Sequence, residues 1–101
     1  MLNQGRYRRS AHQSAFRLEL TPLRSSEVDL RVVVSTKVTK KAVERNRLKR
    51  RLREIWRALS PIPLRPPASP GYRVTVYTKK IALETGFSDL SRQLIAGLKQ
   101  L

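Results

Sequence analysis

The sequence predicts one small α+β domain spanning residues 1–101, with short strands, a long basic helix and a C-terminal helix. Three observations lead there. Short stretches alternate apolar and polar residues at the two-residue period of a half-buried strand. Two longer stretches repeat apolar residues at helical spacing. The chain has 101 residues, 40% of them apolar, which is enough for one core and too few for two.

Residues 1–13 are polar and basic, with Arg6, Tyr7, Arg8 and Arg9 in a row, and read as an N-terminal arm. The first strand is expected over residues 14–20, where Phe16, Leu18 and Leu20 alternate with Arg17 and Glu19. Pro22 and the cluster Arg24-Ser25-Ser26-Glu27 supply a turn. The second strand is expected over residues 29–35, with Leu30, Val32 and Val34 on one face and Arg31 and Val33 on the other. A long helix follows over residues 40–59, with Thr39 as N-cap and Pro61 and Pro63 as its stop. Residues 61–71 are too rich in proline for a helix or an inner strand and read as a loop. The third strand covers residues 72–79, placing Tyr72, Val74 and Val76 opposite Arg73, Thr75 and Tyr77. The last helix covers residues 88–101, with Leu90, Leu94, Leu98 and Leu101 as its packing stripe. The long helix thus joins two strands expected to share a sheet.

Charge narrows the function. Lys and Arg number 22 against 7 Asp and Glu, a net charge of +15. Such a charge repels itself in a compact fold and is tolerated where a polyanion neutralises it. No apolar run approaches the roughly 18 residues of a spanning helix and no signal peptide opens the chain, so nucleic acid leads over a membrane as partner. Cysteine is absent, which removes disulfides, thiolate catalysis and cysteine-ligated metals and fits a cytoplasmic location.

The basic segment within residues 40–57 carries the most information. At about 100° per residue, Leu48, Leu52, Ile55, Trp56 and Leu59 share one face and Asn46, Arg47, Arg50, Arg53 and Arg57 lie on the other. Lys41 and Arg45 fall toward the apolar side near the helix start. A run of charge is ordinarily a solvated face with acids interspersed, but here only Glu44 and Glu54 interrupt nine basic residues. Like charges at i,i+3 and i,i+4 cost a few tenths of a kcal/mol per pair. Arg is also suited to phosphate, because its planar fork reaches two oxygens at once. Asn46 adds a neutral donor and acceptor for a base edge or a 2′-hydroxyl.

The stretch Ser35-Thr-Lys-Val-Thr-Lys-Lys-Ala-Val-Glu-Arg-Asn-Arg-Leu-Lys-Arg-Arg-Leu-Arg-Glu resembles the signature of the bacterial ribonuclease P protein family. The matching features are the Ala-Val pair, the triplet Arg45-Asn46-Arg47, the basic run Lys49-Arg50-Arg51 and the pair Arg53-Glu54. The resemblance is strong over about residues 29–57 and is supported elsewhere by element order. It implies a small α/β sandwich, a mixed β-sheet packed by the long basic helix and the C-terminal helix, ribosomal-protein-S5-domain-2-like with a left-handed βαβ crossover. It also implies an RNA-binding subunit that assists a catalytic RNA in removing the 5′ leader from precursor tRNA. On this reading Lys37, Lys40, Lys41, Arg45, Asn46, Arg47, Lys49, Arg50, Arg53 and Arg57 bind the catalytic RNA. Arg17, Arg31, Arg73, Tyr77 and Lys79 are the leader-binding candidates, with Tyr77 placed to stack a base. The chain departs from the family pattern in three places. The helix with paired aromatics that usually precedes the first strand has only residues 1–5 as a remnant. Glu19 stands where the first strand often has an aromatic. Thr39 and Lys40 replace the usual glycine before Ala-Val.

No catalytic or metal-binding constellation is visible in the chain itself. His12 is the only histidine, Asp29 and Asp89 are isolated, and there is no Gly-rich phosphate loop. The resemblance therefore assigns phosphodiester hydrolysis to the RNA, with no cofactor in the protein and magnesium in the RNA-containing holoenzyme. Its partners are the catalytic RNA and the precursor-tRNA leader, with no membrane and no obligate protein partner. The alternative is a structural, ribosomal-type rRNA-binding protein, which composition alone does not separate from the first reading.

Overall fold

A computed structural model describes residues 9–64 and 67–101. Most of the expected arm, residues 1–8, lies outside the described residues, as do residues 65–66 of the proline-rich loop. The strands are β1 (Arg9–His12), β2 (Phe16–Leu23), β3 (Val28–Val33) and β4 (Gly71–Thr78), and the helices are α1 (Ala42–Ala58) and α2 (Phe87–Gln100). A short 3-10 helix, Lys80–Glu84, precedes α2. The four strands form one sheet in the order β1-β2-β4-β3. β2 runs antiparallel to both β1 and β4, whereas β3 and β4 are parallel neighbours joined through α1.

The alternation in the strands sorts residues onto two faces, as expected. Leu18 pairs with Val76 and Leu20 with Val74, while Leu30 and Val32 meet the same two valines from β3. Phe16, Leu18, Leu20, Val74 and Val76 are fully buried, together with Leu52 of α1 and Leu90, Leu94 and Leu98 of α2. Each such side chain contributes about 1.5–3 kcal/mol relative to exposure. α1 packs against β3, and α2 packs against β1 and β2. Both helices thus cover one face of the sheet. Close packing of α2 on β2 depends on Gly97, where an added Cβ would stand 2.5 Å from Leu18 Cδ1.

Four expectations are corrected. Residues 9–12 are not arm but edge strand, because backbone pairing to β2 needs no particular side chains and only Ala11 turns inward. Pro22 is not in the turn but inside β2, opposite Tyr72. The Tyr72 N–H donates to Glu27 O at 2.9 Å, on the β3 side, so Pro22 and Tyr72 form a pair without hydrogen bonds between them. The missing N–H of Pro22 therefore costs the β2–β4 ladder nothing. Thr39 lies two residues before the true N-cap, Lys41, which has no side-chain cap. Gly71 belongs to β4 rather than to the loop. It has to be glycine: a Cβ there would sit 2.2 Å from Glu27 O and 2.4 Å from Ser25 O, both main-chain atoms.

Candidate nucleic-acid interface

α1 turns Leu48, Leu52 and Ile55 into the core, with Trp56 and Leu59 half-buried at the edge of the stripe. This fixes the opposite side outward. Asn46, Arg47, Arg50, Arg53 and Arg57 are exposed, as are Lys37, Lys40 and Lys41 just before the helix. Lys49 and Arg45 are half-buried on its flank. Thr39 organises the start: it accepts the Lys41 N–H at 3.2 Å, donates to Glu44 Oε1 at 2.6 Å, and its carbonyl accepts Arg45 Nη1 at 3.1 Å. Arg45 is thereby held against the helix start with part of its fork already occupied.

The distribution of ion pairs separates α1 from the rest of the molecule. Among the described residues, Arg17 pairs with Glu19 at 2.7 Å, Arg73 with Asp29 at 2.9 Å and Arg92 with Asp89 at 2.5 Å. Among the described residues, no basic residue of α1 has a carboxylate within 4.0 Å, although Glu44 and Glu54 lie on the same helix. The three carboxylate pairs thus fall on the sheet and α2, while Arg31 on β3 and the α1 cations remain without one among the described residues. Among the described residues no ion pair offsets the repulsion among the α1 cations, so α1 is a concentrated cationic surface.

The five leader candidates gather elsewhere. Arg17, Arg31, Arg73 and Tyr77 project from the sheet face opposite the helices, and Lys79 follows β4 with Nζ donating to Gln13 O at 2.9 Å. The Arg17 guanidinium lies 4.3 Å from the centre of the Tyr77 ring, its cross-strand partner. Asp29 raises the Arg73 pKa further, first through the hydrogen bond and then through its charge. Arg31 is exposed and has no protein partner among the described residues. The structure therefore places the two groups of candidates on two separate surfaces. Arg51, absent from the sequence-based site, is half-buried beside Arg47 against the 3-10 helix. Its place in the run Lys49-Arg50-Arg51 was its only sequence signal. His12 is exposed on β1, and among the described residues no group of three or more His, Cys, Asp or Glu side chains could hold a metal ion. No described helix is long and apolar enough to cross a membrane.

The family model for ribonuclease P matches residues 4–101, nearly the whole chain. The chain belongs to the ribonuclease P protein family. A ribonuclease P protein component from Synechococcus sp. is 36% identical over 95 residues, covering 92% of this chain and 68% of that protein. The solved RNase P protein of Thermotoga maritima superposes with a TM-score of 0.77 at 26% identity, covering 96% of this chain and 86% of that one. The Staphylococcus aureus RNase P protein, at 18% identity, shares the fold with a TM-score of 0.73 over 97% of this chain and 90% of its own. As a ribonuclease P protein component, the chain is a subunit of a ribonucleoprotein endoribonuclease and acts in tRNA processing with an RNA subunit. The ribosomal alternative gains no support from these relatives.

Proposed function

We propose that α1 and the residues leading into it are the surface that meets the RNA subunit, and that the outer sheet face meets the 5′ leader of precursor tRNA. The observation that carries the first assignment is the unneutralised arginine surface of α1. Lys37, Lys40, Lys41, Asn46, Arg47, Arg50, Arg53 and Arg57 are its exposed contacts, and Arg45 and Lys49 flank them. A helix fixed by Leu48, Leu52 and Ile55 presents these groups on a rigid element, so less entropy is lost on contact than from a floppy chain. The second assignment rests on Tyr77, an aromatic on which a base can stack, with Arg17 beside it, Arg31 and Arg73 farther along the same sheet face and Lys79 just past β4.

In this reading the protein's contribution is electrostatic and geometric. It screens the repulsion between two RNAs and holds the leader extended. Magnesium held by the RNA supplies the hydrolytic chemistry of the holoenzyme. The dispersal of the seven acids, three of them in ion pairs with arginine, supports leaving the metal to the RNA. The site of action is the cytoplasm, where tRNA precursors and the RNA subunit meet.

A charge-matched comparison tests the α1 assignment. Arg50→Ala with Arg53→Ala weakens affinity for the RNA subunit at least tenfold, since a well-placed charge-assisted contact is worth about 1.5–3 kcal/mol. Arg92→Ala with Lys99→Ala, on α2, removes the same formal charge and costs less than about threefold by bulk electrostatics alone. Equal losses for the two pairs would remove the special role of α1.

A further inference from the structure

Between α1 and the 3-10 helix lies a recess lined by Glu44, Arg47, Leu48, Arg51, Ala82 and Leu83. Its volume of about 130 Å³ is several times what one water needs. We propose that it seats a single unstacked nucleotide of the bound RNA. The base lies against the half-exposed Leu83, beside the buried Leu48 and Ala82, the phosphate on Arg47 and Arg51, and the base edge at Glu44. This inference rests on α1 being the RNA-facing surface and assigns one contact within it.

The lining is mixed in a way that plain phosphate tracking does not require. Arg50, Arg53 and Arg57 stand exposed on the helix and suit the RNA backbone directly. Arg47 and Arg51 are one turn apart on the same flank, beside aliphatic side chains from two elements. An occupant that uses both parts has a negative group and a small apolar edge, which fits a nucleotide whose base has left its stack. Glu44 adds selectivity. Its Oε1 accepts from the Thr39 hydroxyl, and it forms no ion pair with Arg47 or Arg51 although all three line the recess. Its second oxygen has no protein partner among the described residues and is a ready acceptor for an amino group. Cytosine, adenine and guanine carry such a group and uracil does not.

Amide chemical shifts of the full chain, titrated with cytidine 5′-monophosphate, uridine 5′-monophosphate and inorganic phosphate, provide the test. The cytidine nucleotide shifts Arg47, Arg51, Ala82 and Leu83 together and saturably, and binds at least threefold tighter than the uridine nucleotide. Glu44→Ala abolishes that preference. Inorganic phosphate perturbs α1 alone. If the cytidine nucleotide gives only the phosphate pattern, or if an Asp/Glu peptide saturates the recess more tightly than either nucleotide, the proposal is overturned. Leu83→Ser, with folding checked by thermal melting, lowers affinity for the RNA subunit about fivefold, the scale of burying part of an aliphatic side chain. Unchanged affinity for Leu83→Ser alongside a loss for Arg50→Ala with Arg53→Ala sinks the recess and leaves the α1 interface standing. Unchanged affinity for both sinks the interface and the recess together.

Discussion

The Arg73 guanidinium holds both oxygens of the Asp29 carboxylate, at 2.9 and 3.2 Å, across the parallel pairing of β3 and β4. One cation of the outer sheet face is therefore largely neutralised by its neighbour, whereas Arg31 on the same strand as Asp29 is not. Asp29→Asn should release Arg73 and tighten binding of a single-stranded leader oligonucleotide by roughly twofold to fivefold at low salt. Arg31→Ala should weaken it. The ion pair is about 40% exposed, so losing it leaves the fold intact. Fluorescence anisotropy measures both. Weaker binding by Asp29→Asn would show that the leader does not use this face.

RNA binding should fall steeply with salt. Six to eight phosphate contacts give a log–log slope of roughly −4 to −7, taking about −0.7 to −0.9 per phosphate from simpler nucleic acids. Affinity for the RNA subunit measured across salt concentrations reads the slope directly. A value near zero would mean that the charge of +15 serves something other than RNA.

Gly71→Ala should be among the most damaging single changes. The three atoms in the way, Ser25 O and the Glu27 O and N, are main-chain atoms of the turn before β3, and none can move without shifting the strand. A cost of about 3 kcal/mol lowers the melting temperature of a domain this size by roughly 12–24 °C. A change of less than about 4 °C would show that the turn relaxes freely.

Burial raises the Tyr72 pKa above its ordinary value of 10.0. The folded form then holds this proton more tightly than the unfolded chain does. The associated stability is complete below about pH 10 and is lost as pH rises through the folded-state value. The hydroxyl has no protein partner among the described residues. Tyr72→Phe should therefore match the parent near neutral pH and lose stability less steeply above pH 10, as denaturant midpoints across that range will show. Parallel curves for the two chains would contradict it.

The sequence made legible the elements whose side chains repeat with a period. β2, β3, β4, α1 and α2 each bury an apolar series long enough to count, and their observed bounds differ from the expected ones by one to three residues. β1 was hidden because four residues with one inward alanine carry no period. The 3-10 helix was hidden because Ile81, Ala82 and Leu83 are too short a run to separate from a loop. The outward face of α1 was readable for the same reason that its core stripe was. The pairing of Arg73 with Asp29 was not, because it joins residues 44 apart in sequence and depends on the register of two parallel strands. The recess was equally invisible, since Leu83 meets Arg47 and Arg51 only through tertiary packing.

The chain passes from β3 to its parallel neighbour β4 by way of α1. The element proposed to face RNA is thus also the link that sets two strands of the sheet side by side. With the RNA subunit on α1, as proposed, RNA capture and protein folding share one equilibrium. An RNA that binds only the folded form stabilises it by mass action, by about 2.7 kcal/mol when its free concentration is a hundred times Kd. For a domain that carries so much like charge, the abundance of the RNA subunit becomes a control on how much folded protein persists. Protein made in excess of its RNA lacks that stabilisation and is the fraction most open to proteolysis.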